Sequence, residues 1–200
     1  MLLFVCAVAR ELEWIATPDP RYDVLATGVG PIDAAASVAR ALTRNTYSLV
    51  VNAGIAGAFA SRASIGDALV VAQDAFAELG TEDGIRVLRD GSTFTNHARS
   101  NEWLVHALAR RGHAVGNGVT VARVTAGADR AAQLAREFDA SVESMEGFAV
   151  LRTCELAGVP AIEVRGVSNI VGPREGATFD FSAGSLALRG LVDDILQVWK

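Results

Sequence analysis

Lysine is almost missing from this chain: Lys200 is the only one, and every other basic side chain is an arginine. Schiff-base chemistry and a phosphate-binding P-loop both depend on a lysine, so neither is expected. Long apolar runs are also missing. Half of the 200 residues are hydrophobic, yet the apolar stretches are short and fall below the roughly 18–20 residues that a membrane helix needs. No membrane span is expected. The apolar start MLLFVCAVARELEW lacks the positive region of a signal peptide and carries Glu11 and Glu13 where a small-residue cleavage site would lie, so it reads as a buried first strand.

Cysteine is scarce. Cys6 and Cys154 sit in apolar segments without CxxC spacing, which predicts two buried thiols in a reducing, cytoplasmic setting. The three histidines, His97, His106 and His113, show neither metal-ligand nor triad spacing, and no GxSxG elbow is present. Neither a metal, an organic cofactor nor an acyl-enzyme is expected. Against 18 arginines and lysines stand 23 acidic residues, a net charge of −5. Without a basic block, nucleic acid is not an expected partner.

What remains is an alternation of short β-branched runs with amphipathic stretches. Strands are expected at Leu2–Val8, Tyr22–Ala26, Leu49–Asn52, Ala68–Phe76, Val115–Thr125 and Ala161–Val167, with a shorter one at Ile85–Leu88. Helices are expected at Ile32–Arg44, Ser100–Arg111, Arg130–Phe138, Gly147–Ala157 and Ser185–Trp199. The pattern predicts an α/β protein: residues 1–200 form a single domain with a central mixed sheet between two helical layers. The polar segment Gly80–Ser92 reads as a hairpin or surface excursion rather than a domain boundary. In open α/β sheets ligands sit at the carboxyl ends of strands. That rule draws attention to Ala7–Glu13, Thr27–Pro31, Asn52–Phe59, Val142–Gly147 and Arg165–Arg174.

Each of these places admits two readings. Glu11 and Glu13 are either dipole partners for a first helical turn or a general base acting on water. TGVGP (Thr27–Pro31) and NAGIAGAF (Asn52–Phe59) read as small-residue turns after strands, serving either backbone approach to a ligand or tight packing. In ESMEG, Glu143 and Glu146 flank Met145 ahead of an apolar helix. A carboxylate accepting from a vicinal diol beside a polarizable thioether suits a ribose, while acidic residues also suit a helix start. Arg165, inside a buried strand with Glu163, needs an acceptor. Asn169 both donates and accepts, which fits a purine edge or a turn cap.

In order, AVARE, TGVGP, NAGIAG, SIGDALV, ESMEGFAV and VRGVSN resemble the nucleoside phosphorylase and hydrolase superfamily, in its methylthioadenosine nucleosidase-like branch. The resemblance spans Leu2 to about Phe181, and ESMEG followed by VSNIVGPRE is similar to the futalosine hydrolases of the alternative menaquinone pathway. It implies a nucleoside phosphorylase-like fold, a small purine nucleoside as ligand, and a homo-oligomer, dimer or larger. It also implies roles: Glu11 as the carboxylate that activates water, Glu146 on the ribose hydroxyls, Met145 against the sugar, and Arg165 near water and ribose. Phe179 would lie against the 5′ substituent.

Asn169 stands where adenine-specific relatives carry an aspartate. An amide can donate to the oxygen of a 6-oxopurine and an ionised carboxylate cannot, so hypoxanthine fits as the leaving base. Ile55 and Ala56 present an apolar wall where phosphate would need polar groups, which favours hydrolysis. Ile55 also replaces a serine of the adenine nucleosidases. The expected reaction is hydrolysis of the N-glycosidic bond of futalosine to hypoxanthine and dehypoxanthine futalosine. The alternatives are a methylthioadenosine or adenosylhomocysteine nucleosidase, and a purine-nucleoside binding module without catalysis. The groups that grip the substrate's carboxyphenyl end are left open; Arg62 and Arg174 read either as partners for that carboxylate or as solvated surface arginines.

Overall fold

A computed structural model describes residues 1–15, 17–81 and 91–199. The chain runs β1 (Leu2–Cys6), a short 3₁₀ turn (Ala9–Leu12), β2 (Tyr22–Ala26), α1 (Pro31–Arg44), β3 (Leu49–Ala58), β4 (Ala68–Phe76), β5 (His97–Arg99), α2 (Glu102–Ala109) and β6 (Ala114–Thr120). It continues with α3 (Ala128–Glu137), β7 (Ala140–Ser144), α4 (Gly147–Ala157), β8 (Ala161–Ile170) and α5 (Phe181–Val198).

Alternation along β1 explains the layers. Successive side chains of a strand point to opposite faces. Leu2, Phe4 and Cys6 pack with Leu104 of α2 and Leu188 and Leu191 of α5. Leu3 and Val5 pack with Val38 of α1 and Val150 of α4. Because both faces are apolar and both are covered, the sheet lies between helices, as the apolar strand composition predicts.

Local chemistry sets the helix ends. Asn101 Oδ1 accepts from the Leu104 N–H at 3.0 Å and caps α2, and Asp180 Oδ1 accepts from the Ala183 N–H at 2.8 Å and caps α5. Gly158, with φ of 68°, closes α4 in the left-handed conformation that a side chain resists.

The sheet is mixed. Its path is β2-β1-β3-β7-β6-β4-β5, and β8 pairs with both β3 and β4. Strands β3, β7, β6, β4 and β8 therefore close on themselves, around Ala56, Ala58, Leu69, Val71, Val142 and Val167. Among the described residues, β2, β1 and β5 extend beyond this ring. The closure is tighter than the open sheet from which the strand-end rule was taken.

Several sequence expectations are corrected by it. NAGIAGAF is no turn: β3 continues to Ala58, paired with β8 on one side and, at Gly57 and Ala58, with β7 on the other. Small residues there let two neighbouring strands approach, whereas in sequence their glycines read as a break. Strand β7 escaped notice because its five residues include the polar Glu143 and Ser144, both buried. Strand β5 escaped because it has only three residues and places His97 on a strand. β1 stops at Cys6, β6 at Thr120, and β8 runs on to Ile170. α5 begins at Phe181 because Asp180 caps it there. The strand expected at Ile85–Leu88, and most of Gly80–Ser92, lie outside the described residues.

Cys6 and Cys154 are free and buried, and burial pushes both thiols up to about 12. Among the described residues, no helix is long and apolar enough to cross a membrane, and no group of three or more His, Cys, Asp or Glu could hold a metal ion.

Candidate active site

A cavity of about 500 Å³ opens where the 3₁₀ turn, β3, β7 and β8 meet, a size suited to a nucleoside-scale ligand. Its wall includes Glu11, Ile55, Ala56, Glu143, Met145, Glu146, Asn169 and Phe179. The residues to which the resemblance gives roles, Arg165 excepted, thus face one space.

Glu11 is brought there by the chain reversal after β1. The turn is fastened by the Glu11 side chain itself, whose Oε2 accepts from the Val8 N–H at 2.9 Å. The Glu11 carbonyl in turn accepts from the Ser185 hydroxyl of α5 at 2.8 Å. Oε1 accepts from the Ile55 N–H at 2.8 Å. The carboxylate is 3% exposed. Burial pushes its pKa above the ordinary value; the Val8 and Ile55 N–H groups and the Arg165 charge oppose that shift, and Glu146 adds to it. Such a carboxyl, gripped at both oxygens, suits a base acting on a positioned water. Glu13, by contrast, is exposed and absent from the cavity wall.

Glu146 stands at the entry to α4, directly after β7. Its Oε1 accepts from the Gly30 N–H at 2.8 Å. Gly30 reaches it with φ of 98°, a conformation that glycine adopts without strain. TGVGP therefore orients a carboxylate, a role its sequence did not reveal. Glu143 accepts from the Thr125 N–H at 3.0 Å, and its Oε2 has no hydrogen-bond partner; burial raises its pKa. The chain beyond Thr120 bends over the cavity instead of extending β6, and that bend supplies the Thr125 donor.

Asn169 lies near the end of β8. The Ser168 hydroxyl stands 2.9 Å from its Oδ1, and its Nδ2 donates to the Ile170 carbonyl at 3.3 Å. With Oδ1 engaged, the amide keeps a second N–H for a ligand acceptor. Phe179 is joined to Asn169 by a backbone bridge and is 64% exposed at the cavity mouth. Ile55 and Ala56 give this wall an apolar surface, and the Ile55 N–H is already spent on Glu11.

Arg165 stands close to Glu11 but outside the cavity wall. It is 1% exposed and does not line the cavity. The acceptor its burial demands is Glu163, two residues earlier on the same strand face, with Nε donating to Oε1 at 2.8 Å. It touches the site from behind: a Cβ on Gly54 would stand 2.7 Å from Arg165 Nη1 and 2.8 Å from Glu11 Oε1. Arg62 pairs with Asp139 at 2.7 Å, away from the cavity, while Arg174 is exposed and lines the cavity. The position of Arg174 suits either of the two readings, a partner for a ligand carboxylate or a solvated surface arginine. Sequence reasoning also missed Asp74, a charge within the apolar run VVAQDAF that its surroundings could have flagged.

The arrangement offers a base, a second carboxylate for hydroxyl groups, a thioether and an amide around one cavity. Comparison with known proteins bears on what it binds. The family model of the phosphorylase superfamily matches residues 21–194. Among curated proteins, the chain is 39% identical over 191 residues to a futalosine hydrolase of Streptomyces coelicolor, covering 90% of this chain and 81% of that protein. It is 32% identical over 173 residues to a futalosine hydrolase of Thermus thermophilus, covering 83% and 77%.

Two solved structures share the fold at lower identity. The S-adenosylhomocysteine nucleosidase of Streptococcus pyogenes in complex with 5-methylthiotubericidin superposes with a TM-score of 0.83 at 20% identity, covering 100% and 97% of the chains. The futalosine hydrolase of Helicobacter pylori superposes with a TM-score of 0.75 at 19% identity, covering 96% and 97%.

Proposed function

This chain belongs to the futalosine hydrolase family within the phosphorylase superfamily, and from that membership we propose that it hydrolyses the N-glycosidic bond of futalosine. The products are hypoxanthine and dehypoxanthine futalosine, a step of the alternative menaquinone pathway. The observation that carries the reading is Glu11: a buried carboxyl of raised pKa, held at both oxygens in the wall of a nucleoside-sized cavity opposite Glu146 and Asn169.

In the reaction, the bond from C1′ to the purine breaks through a transition state with oxocarbenium character. Glu11 orients a water toward C1′ and takes its proton as the new C–O bond forms. Glu146, fixed by Gly30 through Oε1, offers its other oxygen to the ribose hydroxyls while Met145 packs against the sugar. The free N–H of Asn169 meets O6 of the departing base and stabilises the charge developing there. An amide is no acid of useful strength, so the proton that completes hypoxanthine comes from solvent. The apolar Ile55 and Ala56 wall leaves no seat for phosphate, which supports hydrolysis within a superfamily named for phosphorolysis.

The ligand is a small purine nucleoside; neither nucleic acid nor membrane takes part, no cofactor is required, and the enzyme works in the cytoplasm. Phe179, exposed at the cavity mouth, suits cover by a neighbouring copy, so a homo-oligomer of two or more subunits completes the proposal. The test is a phosphate-free incubation with futalosine, inosine and methylthioadenosine, with released base resolved by chromatography. Hypoxanthine from futalosine is the expected result. Adenine from methylthioadenosine with futalosine untouched would overturn the reading of Asn169 in favour of an adenine nucleosidase, and binding without release of base would favour a ligand-binding module.

A further inference from the structure

Behind the cavity lies a polar cluster that the mechanism above does not use. Asp74 on β4 and Glu163 on β8 are 0% exposed, and Arg165 beside them is 1% exposed. Two ionised carboxylates and one guanidinium would leave an uncompensated buried charge, which is among the costliest arrangements a fold can hold. The strands bring them together: β4 and β8 run antiparallel, with Val71 opposite Glu163 and Leu69 opposite Arg165.

The hydrogen bonds show how the imbalance is resolved. Among the described residues, Asp74 Oδ2 and Glu163 Oε2 have no hydrogen-bond partner. Both surround Gly147, the first residue of α4, where an added Cβ would overlap Asp74 Oδ2 and Glu163 Oε1 and stand 2.7 Å from Glu163 Oε2. The two carboxyls thus meet over one glycine, each with an unpartnered oxygen. Two ionised carboxylates have no donor between them, whereas a proton on one lets its O–H donate to the other.

Their other partners decide which one. Asp74 Oδ1 accepts from the Thr120 hydroxyl at 2.7 Å, and the Thr120 oxygen accepts from the Phe148 N–H at 2.7 Å. Asp74 thus faces neutral donors. Glu163 Oε1 faces the cation, accepting from Arg165 Nε at 2.8 Å.

We propose that Asp74 and Glu163 share a single proton, seated on Asp74, and that this pair holds Arg165 at the rear of Glu11, so that both acids are positioning residues for the hydrolysis. The inference rests on Glu11 being the base. Burial drives both carboxyls above their ordinary values, Asp74 well above. With one proton between them the pair carries one negative charge, matching the one positive charge of Arg165. The groups facing Glu11 are Arg165, Glu146 and the Cys6 thiol. Arg165 lowers the pKa of Glu11, so its position and neutralisation set how basic that carboxyl is. Were the pair uncharged, an unpaired Arg165 would hold Glu11 as a weaker base; were both acids ionised, Arg165 would be drawn away.

The test combines a spectroscopic and a kinetic measurement on the full chain. With aspartate labelled at its carboxyl carbon, infrared or carbon NMR spectra at about neutral pH should show a protonated carboxyl. Asp74→Asn should remove that signal. Because an asparagine amide donates to Glu163 and accepts from Thr120 as protonated Asp74 does, Asp74→Asn should keep kcat within about threefold of the parent. Glu163→Gln should lower kcat by on the order of 10²-fold with KM little changed, and move the acidic limb of the pH profile to lower pH.

A neutral-pH spectrum without a protonated aspartyl carboxyl would overturn the proposal, as would equal losses in the two variants. Should Glu163→Gln fail to fold, the labelled spectra of the parent and Asp74→Asn still decide. Absence of hypoxanthine release by the parent would instead count against the futalosine reading and leave the spectra to judge the pair.

Discussion

At the scale of single residues, Glu11 and Asn169 carry opposite requirements: one must lose its proton to act, the other must keep its hydrogens. Burial raises the pKa of Glu11, and the base works ionised, so kcat/KM should rise with pH through a value above the ordinary 4.5 of a glutamate. Initial rates across a mildly acidic series check this. Glu11→Gln keeps the shape but removes the base; turnover should fall by roughly 10²–10⁴-fold while futalosine binding, followed by calorimetry, is largely kept. Loss of both together would assign Glu11 to the fold alone. Asn169→Asp replaces the donor with an acceptor, and its kcat/KM for futalosine should fall by on the order of 10²-fold because O6 then faces a carboxylate. An unchanged value would show that the purine edge is read elsewhere.

At the scale of elements, two glycines of paired strands should fail in different ways. On β3, a Cβ at Gly54 would press on the far ends of two side chains, Arg165 Nη1 at 2.7 Å and Glu11 Oε1 at 2.8 Å. Side-chain ends can give way, so Gly54→Ala should fold with a melting point near that of the parent yet lose much of kcat as Glu11 is displaced. On β8, a Cβ at Gly166 would run into the main-chain carbonyl of Gly184 in α5. Backbone on backbone has no such escape, and Gly166→Ala should cost about 1–3 kcal/mol or more of stability in urea unfolding. A Gly54→Ala enzyme with full activity would contradict the close approach of Glu11 and Arg165 over that glycine.

At the scale of the whole molecule, the buried acids govern how stability depends on pH. Glu11, Asp74, Glu143 and Glu163 all have raised pKa values, with burial the leading cause in each. Between the ordinary values, 3.8 for Asp74 and 4.5 for the three glutamates, and the raised ones, the native chain binds more protons than the unfolded chain. Stability from these groups is full below that window and is lost as pH rises through it. The half-buried Asp19 and Asp194 are shifted down by arginine and histidine neighbours and act at lower pH, outside this range. Urea midpoints should therefore decline as pH rises above these ordinary carboxyl values. A midpoint rising there would show that burial does not raise the pKa values of these carboxyls.

The sequence by itself determined the class of the fold and the identity of the chemistry. Apolar runs such as LLFVC and the amphipathic helices between strands require burial on both faces of a sheet, and that requirement is local. Glu11, Glu146 and Asn169 were legible as candidates because polar groups stood where a strand ended or a buried run was broken; the family resemblance, not local pattern, chose Glu11 over Glu13 and gave Met145 its role. What the tertiary structure decided depends on pairing between distant segments. That NAGIAGAF is strand rather than turn follows from its partners β7 and β8, and a glycine-rich run has no periodicity to announce them. Arg165 lies behind the site because Glu163 and Asp74, 89 positions apart in the numbering, meet across β4 and β8 and hold it there. Side-chain chemistry is written in each residue, but the charge that a buried acid carries is set by what the fold places beside it.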